Sequence, residues 1–268
     1  MKDATTGPQP GEGLDTRKMP GHWVLARMGK RVLRPGGLEL TRRMLESLDI
    51  RTSDDVVEFA PGLGMTARRT LALNPASYTA VERDAAAAKI VEGYLAGDRQ
   101  SVVVGSADAT GLSSGSATVV YGEAMLTMQT PEMKQRIVGE ARRLLRAGGR
   151  YAVHEMCLTR DDIGADVREE IQRALAGVVH HGVKPLTPAE WRALLESEGF
   201  DVRSSTTAPM ALLEPARLVR DEGLAGALRF FWRVLRDREG RQRVLEMRGV
   251  FRRYREHLAA ITLTGVKK

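Results

Sequence analysis

Val56-Val57-Glu58-Phe59-Ala60-Pro61-Gly62-Leu63-Gly64-Met65-Thr66 is the stretch on which the fold turns. An apolar run of strand composition passes into a turn with two glycines, and a helical pattern opens near Met65. Gly62 and Gly64 let the backbone approach a ligand closely, and a helix start presents free N–H groups. Such a turn at the carboxyl end of a parallel strand suits a nucleotide-like ligand. The glycine pair alone is a weak signal, since a tight turn with no ligand has the same composition. Gly62-x-Gly64-x-x-Ala67 also fits a dinucleotide fingerprint, with Glu82 placed for a ribose. Charge discriminates. A pyrophosphate is dianionic and calls for a turn clear of acid, whereas Glu58 favours a ligand that carries an ammonium. Glu58 could instead cap or pair with an arginine, but a carboxylate in an apolar strand is costly without a partner.

Outward from this turn, strands and helices alternate as in a parallel sheet covered on both faces. The pattern predicts strands over 56–60, 78–82, 101–105, 118–121, 150–156 and 200–206. Helices are predicted over 65–73, 84–95, 134–145 and 187–199, the last opened by the capping box Thr187-Pro188-Ala189-Glu190. Before the core, 22–33 and 38–48 read as helices broken at Pro35-Gly36-Gly37. After it come helices over 218–235 and 242–257 and a last strand over 259–266. The expected architecture is α/β. It is a Rossmann-like doubly wound sheet, mostly parallel with an antiparallel last strand, and a helical cap is inserted before that strand. By region, 1–20 is a flexible tail, 21–50 flanks the cofactor site, 51–212 is the core, 213–257 is the lid and 258–268 is the last strand.

Hydrophobic residues make up 43% of the 268 and charged residues 28%, an ordinary globular balance. No apolar run is long enough to cross a bilayer, and Met1 to Met19 lacks the apolar centre of a secretory signal. The single cysteine, Cys157, excludes an intrachain disulfide and reads as buried and structural. These features point to the cytoplasm. The net charge of +7 favours anionic partners, and residues 213–257 hold twelve Arg against seven Asp and Glu. No zinc finger, basic-aromatic sheet signature or helix-turn-helix accompanies that charge. It therefore reads as a solvated helical face, and neither nucleic acid nor a membrane is the expected partner.

Four further segments follow the first in order: Val81-Glu82-Arg83-Asp84, Gly105-Ser106-Ala107-Asp108-Ala109, Tyr121-Gly122-Glu123-Ala124-Met125 and Leu144 to Arg150. Together with Glu58-x-Ala60-x-Gly62-x-Gly64 they resemble the class I S-adenosylmethionine (SAM) dependent methyltransferase superfamily. The resemblance is to its small-molecule type 11 branch, near the ubiquinone/menaquinone-biosynthesis methyltransferases, and covers about Val56 to Phe200. It implies SAM as cofactor and S-adenosylhomocysteine as product. Glu58, Ala60, Pro61, Gly62 and Gly64 would form the first cofactor-binding segment, with glycine the family's usual residue where Ala60 stands. Glu82, next to Arg83, would grip the ribose hydroxyls. Asp108 would accept from the adenine amino group, with the Ala109 backbone nearby. Gly122 and Glu123 lie where the family contacts the methionine part.

Methyl transfer from a sulfonium needs an in-line approach, and holding the reactants in line supplies much of the acceleration. A base is needed only if the acceptor must lose a proton. The candidates are His154, Glu155, His180 and His181. Two adjacent histidines without carboxylate or cysteine spacing make a poor metal site, so no metal is expected. Residues 213–257 hold five of the chain's thirteen aromatics, Phe230, Phe231, Trp232, Phe251 and Tyr254, together with Met247. They read as a lid over a small aromatic or lipophilic acceptor, with Met125, His154, His181, Phe231 and Trp232 as candidate contacts. Three alternatives stay open: an NAD(P)-dependent oxidoreductase using the same turn, a nucleic-acid methyltransferase, and a SAM-binding sensor without turnover. Against the second, no Asn-Pro-Pro-Tyr-like tetrapeptide follows the fourth strand. A homodimer paired through an exposed aromatic lid also stays open.

Overall fold

The structure, a computed structural model, describes residues 15–268. The strands are β1 (Asp55–Phe59), β2 (Ser77–Glu82), β3 (Gln100–Val104), β4 (Ala117–Glu123), β5 (Leu145–Leu158), β6 (Phe200–Pro209) and β7 (Leu258–Lys267). They form one sheet in the order β3-β2-β1-β4-β5-β7-β6. The first five pair in parallel, and β7 runs antiparallel between β5 and β6. The sheet is thus mostly parallel, as expected. The last strand pairs with the sixth and also separates it from the fifth.

The helices are α1 (Gly21–Arg27), α2 (Gly37–Leu48), α3 (Ala67–Leu71), α4 (Ala85–Glu92), α5 (Pro131–Leu144), α6 (Ala165–Val179), α7 (Pro188–Ser197), α8 (Pro215–Arg236) and α9 (Arg238–Arg253). One side of the sheet is closed by α5 and α7, where Ile137, Leu144 and Trp191 pack with Val57, Tyr151 and Phe200. The other side receives Met44 and Leu48 of α2 against Val56, Tyr78 and Tyr121. A third core joins α1, α6, α8 and α9 over Met156 and Leu158. The capping box of α7 is formed in full: Thr187 Oγ1 accepts from the Glu190 amide, and the Glu190 carboxylate accepts from the Thr187 amide at 2.8 Å.

Several boundaries differ from the sequence pattern, each for a local reason. The first helix ends at Arg27, because Gly29 turns the chain at a φ of +95°. Lys30, expected in the last turns of that helix, instead runs inward. It is fully buried, with Asp221 at 3.9 Å and Glu222 at 3.8 Å. Glu222 also accepts from the Arg31 and Val32 amides at 2.8 Å each, so the start of α8 is fastened to the segment between α1 and α2. The long helix expected over 218–235 begins at Pro215 and is broken at Gly223, whose φ and ψ of 74° and 167° are not helical. Its successor starts at Arg238 and ends at Arg253, four residues short of the expected end. α6 was not expected; only Ile171 and Leu175 of its fifteen residues are buried, too thin a stripe to read as a helix. Of the tail assigned to residues 1–20, positions 1–14 lie outside the described residues. From Asp15 onward the chain is packed, not loose: Met19 is buried, and Arg243 donates to the carbonyls of Arg17 and Met19.

Candidate active site

The order of the sheet reverses at β1, which lies between β2 and β4. At such a switch point the loops after neighbouring strands diverge and leave a crevice. Here it is a cavity of about 560 Å³, large enough for a cofactor-sized ligand. Its walls come from the ends of β1, β2, β4 and β5, the 105–107 segment after β3, α1 and α9.

The turn after β1 is held from behind. The Ala60 amide donates to the Val81 carbonyl at 2.8 Å, and the Gly62 amide donates to Glu82 Oε2 at 3.0 Å. The other Glu82 oxygen accepts from the Asp84 amide at 2.9 Å, and Asp84 caps α4 through the Ala86 and Ala87 amides. A Cβ on Gly62 would meet nothing within 4 Å, so glycine there serves the positive φ of 56° and leaves the backbone open to the cavity. A Cβ on Gly64 would strike the Tyr94 ring. Ala60 has a φ of +51°, a left-handed conformation that costs alanine about 1–2 kcal/mol. The Ala60→Gly variant is expected to be more stable by about 0.5–1 kcal/mol, after the extra chain entropy of glycine. Chemical denaturation checks this; an unchanged or lower midpoint would show that the turn carries no such strain.

Two buried carboxylates face the cavity in different states. Glu58 accepts from the hydroxyls of Tyr78 (2.6 Å) and Tyr121 (2.7 Å). Burial nevertheless pushes its carboxyl up to about 7. Glu123 is the centre of a network: Arg34 and Thr66 donate to one oxygen, and Thr41 (2.6 Å) and His154 Nδ1 (2.7 Å) reach the other. Burial would raise its pKa, but the Arg34 guanidinium and the His154 ring outweigh this and hold it well below the carboxylate range.

Several sequence-based assignments change at this level. His154 does not reach the cavity. It is fully buried, with Nε2 on the Pro35 carbonyl and Nδ1 on Glu123, both of them acceptors, so the ring is a bonded donor and not a free base. Glu155 borders the cavity but is equally committed. It accepts from the amides of Met125, Leu126 and Thr127 and from the Thr127 hydroxyl at 2.7–3.0 Å, and so clamps the turn after β4. His180 caps α6 and meets Arg243 at 2.7 Å, away from the cavity. Phe231 and Trp232 point to solvent, 38% and 53% exposed, because the buried side of α8 is the one carrying Phe230 and Val234. Asp108 is drawn to Arg136 at 2.6 Å and bonded by Ser106; it, Ala109, Gly64 and Gly122 do not line the cavity.

Glu58, Ala60, Pro61, Gly62, Glu82, Arg83, Glu123, Met125 and His181 do line it. The sequence reading missed His22 as a site residue. It lies in the wall with a buried Nδ1 that has no partner among the described residues, and burial, together with His181, pushes its pKa down to about 4. It also missed Arg34, whose partner lies 89 positions away. Seven of the chain's eleven methionines line the cavity, and Phe251 and Met247 of α9 close it where Phe231 and Trp232 were expected.

Residues 57–153 match the family described as "Methyltransferase domain", type 11. An uncharacterized protein of Haemophilus influenzae is 29% identical over 213 residues, which cover 78% of this chain and 83% of that one. Among solved structures, the MccD protein is similar with a TM-score of 0.69 at 16% identity, over 88% of this chain and 99% of that one. A Haemonchus contortus phosphoethanolamine N-methyltransferase 2, in complex with phosphomonomethylethanolamine and S-adenosylhomocysteine, gives 0.68 at 12%, over 96% of this chain and 59% of that one. The [4+2]-cyclase SpnF gives 0.66 at 15%, over 97% of each chain. At these identities the structural likeness speaks for the fold alone. Residues 57–153 thus match a methyltransferase domain of type 11, and the chain built around them has the class I SAM-dependent methyltransferase fold.

Proposed function

We propose that the chain moves the methyl group of SAM to a small lipophilic or aromatic acceptor. The carrying observation is one cavity with two chemistries. Its turn is acidic, with Glu58, Glu82 and Asp84 around Gly62; Arg31, Arg34 and Arg83 also line the cavity, the first two paired with Glu222 and Glu123, and much of the remaining wall is apolar and rich in methionine. The acidic turn suits a cationic cofactor and repels a pyrophosphate, whose usual amide at Gly62 already serves Glu82. The helix after the turn, α3, has only five residues, a weak dipole for phosphate. These features speak against the dinucleotide reading.

SAM supplies an electrophilic methyl group on a sulfonium. Glu58 would attract its ammonium, and Glu82 its ribose. The methionine-lined wall adapts to an apolar acceptor and excludes water. His22, neutral at pH 7, and His181 are the imidazoles left to orient an acceptor hydroxyl or amine, since His154 and Glu155 are committed elsewhere.

Calorimetric titration with SAM, S-adenosylhomocysteine and NADH, on wild type and Glu82→Gln, tests the cofactor. The first two should bind, at least about tenfold more weakly in the variant, where one strong charge-assisted bond is lost. Binding of NADH alone would sink the reading. Because the cyclase shares the fold, methyl transfer itself has to be measured, as S-adenosylhomocysteine formed with candidate acceptors. Once an acceptor is found, Phe251→Ala should raise its KM about tenfold, the cost of a lost apolar contact. Phe231→Ala should leave KM unchanged. The reverse pattern would return the acceptor to the outer face of α8.

A further inference from the structure

Beyond Gly223, α8 presents a face that none of the described residues covers. Leu224, Leu228, Phe231, Trp232 and Leu235 recur at intervals of three and four, the spacing of a single helical stripe. All five are exposed, Leu224 and Leu235 by 67% each and Leu228 by 60%. The opposite side of the same helix, with Phe230 and Val234, is buried. A soluble surface seldom gathers so much contiguous apolar area without a use for it.

The charge beside the stripe is of one sign. Residues 223–236 contain Arg229, Arg233 and Arg236 and no Asp or Glu. None of the three has a carboxylate partner among the described residues; Arg233 turns back to donate to the Arg27 carbonyl at 3.3 Å, which leaves Arg229 and Arg236 beside the stripe. Arg236 instead lies over the Trp232 ring, 4.0 Å from its centroid. Trp232 thus stands at the border between the apolar stripe and the basic edge.

We propose that this half of α8 docks on an anionic lipid surface, with the leucines and aromatics entering the acyl boundary and the Arg229 and Arg236 guanidiniums at headgroup phosphates. The apolar stripe, the one-signed basic flank and an interfacial Trp are what such a helix needs. Self-pairing of two copies fits worse, since it would bring four guanidiniums together with no carboxylate. The overall composition gave no cause to expect a membrane. No helix among the described residues is long and apolar enough to cross one, and docking on the surface requires none. This inference does not depend on the methyl-transfer reading, because its test reads binding alone.

The full chain is mixed with vesicles of phosphatidylcholine, with and without 30 mol% phosphatidylglycerol (about that fraction, to give a strongly negative surface), and bound protein is measured by flotation. Binding is expected only to the anionic vesicles and should weaken as salt is raised. It should be accompanied by a blue shift of tryptophan emission that Trp232→Phe abolishes. Leu228→Glu, and separately Arg229→Glu with Arg236→Glu, should each lower partitioning at least about tenfold. These sites are exposed, and circular dichroism and thermal melting of the variants establish that they remain folded. Absence of binding to anionic vesicles at low salt would overturn the proposal. So would binding that these variants leave intact, or a vesicle-free dimer that Leu228→Glu dissociates; the last would assign the face to a second copy.

Discussion

Replacing Glu123 with alanine is expected to lower the unfolding free energy by about 3–5 kcal/mol, the range for removing one partner of a buried ion pair. For a chain of this size that is a fall in Tm of about 10 °C. The carboxylate is 7% exposed, and two of its partners are as deep: Arg34 at 9% and His154 at 0%. Without Glu123, Arg34 keeps only the Thr66 hydroxyl, and His154 Nδ1 has no acceptor. The buried Arg34 guanidinium is then left without a counter-charge. Glu123→Gln retains an acceptor and should fall between wild type and alanine. The same pair makes stability depend on pH. The folded-state pKa of Glu123 is depressed, so its contribution is full above the ordinary carboxylate pKa of 4.5 and is lost as pH falls toward the lowered one. The Glu123→Ala variant should therefore lose less stability than wild type on acidification below about pH 4.5. A Tm change under about 2 °C in thermal melts at pH 7 would show that the network carries little.

That network also marks how far the sequence could be read. The strand–turn–helix rhythm was legible, because apolar runs and glycine turns are local signals. The capping box at Thr187 and the glycine turn at 62–64 were legible for the same reason. Register and long-range pairing were not. Glu123 and His154 stand opposite each other on β4 and β5, and Glu58 stands opposite Tyr121 on β1 and β4. Nothing in the one-dimensional pattern ties 34 to 123 or 154 to 35. His154 accordingly looked like a free base at a strand end until its two acceptors were in view. Phe231 and Trp232 failed for another reason. Aromatics at helical spacing specify a helix but not which side faces inward, and here the buried side of α8 carries Phe230. Lys30 was hidden by composition: a lysine in a basic run reads as solvated, whereas Asp221 and Glu222, nearly two hundred residues on, draw it inside.

The other large effect is expected in the pH dependence of cofactor binding, and it rests on Glu58. Its carboxyl is fully buried and titrates near 7 despite two tyrosine hydroxyls that donate to it. A ligand ammonium placed beside it favours the carboxylate, so binding of SAM should release a proton whenever Glu58 starts protonated. Affinity should then rise with pH up to about 7 and flatten above, with roughly tenfold lost between pH 8 and pH 6. The ligand-free protein should show the opposite trend from the same group. The folded-state pKa is raised above 4.5, so the folded chain holds this proton more tightly than the unfolded one. The associated stability is present at low pH and lost as pH climbs from about 4.5 to 7, by an amount of about 3 kcal/mol. Glu58→Gln removes both dependences while keeping an acceptor for the tyrosines. At pH 8 it should bind SAM at least about tenfold more weakly and yet unfold at a higher temperature than wild type. A merely structural carboxylate would move the two measurements together. Titrations at pH 6 and 8, in buffers of different ionisation enthalpy, count the released proton directly. If wild type takes up or releases none at pH 6, Glu58 does not meet the ammonium, and the cationic end of the ligand lies elsewhere in the cavity.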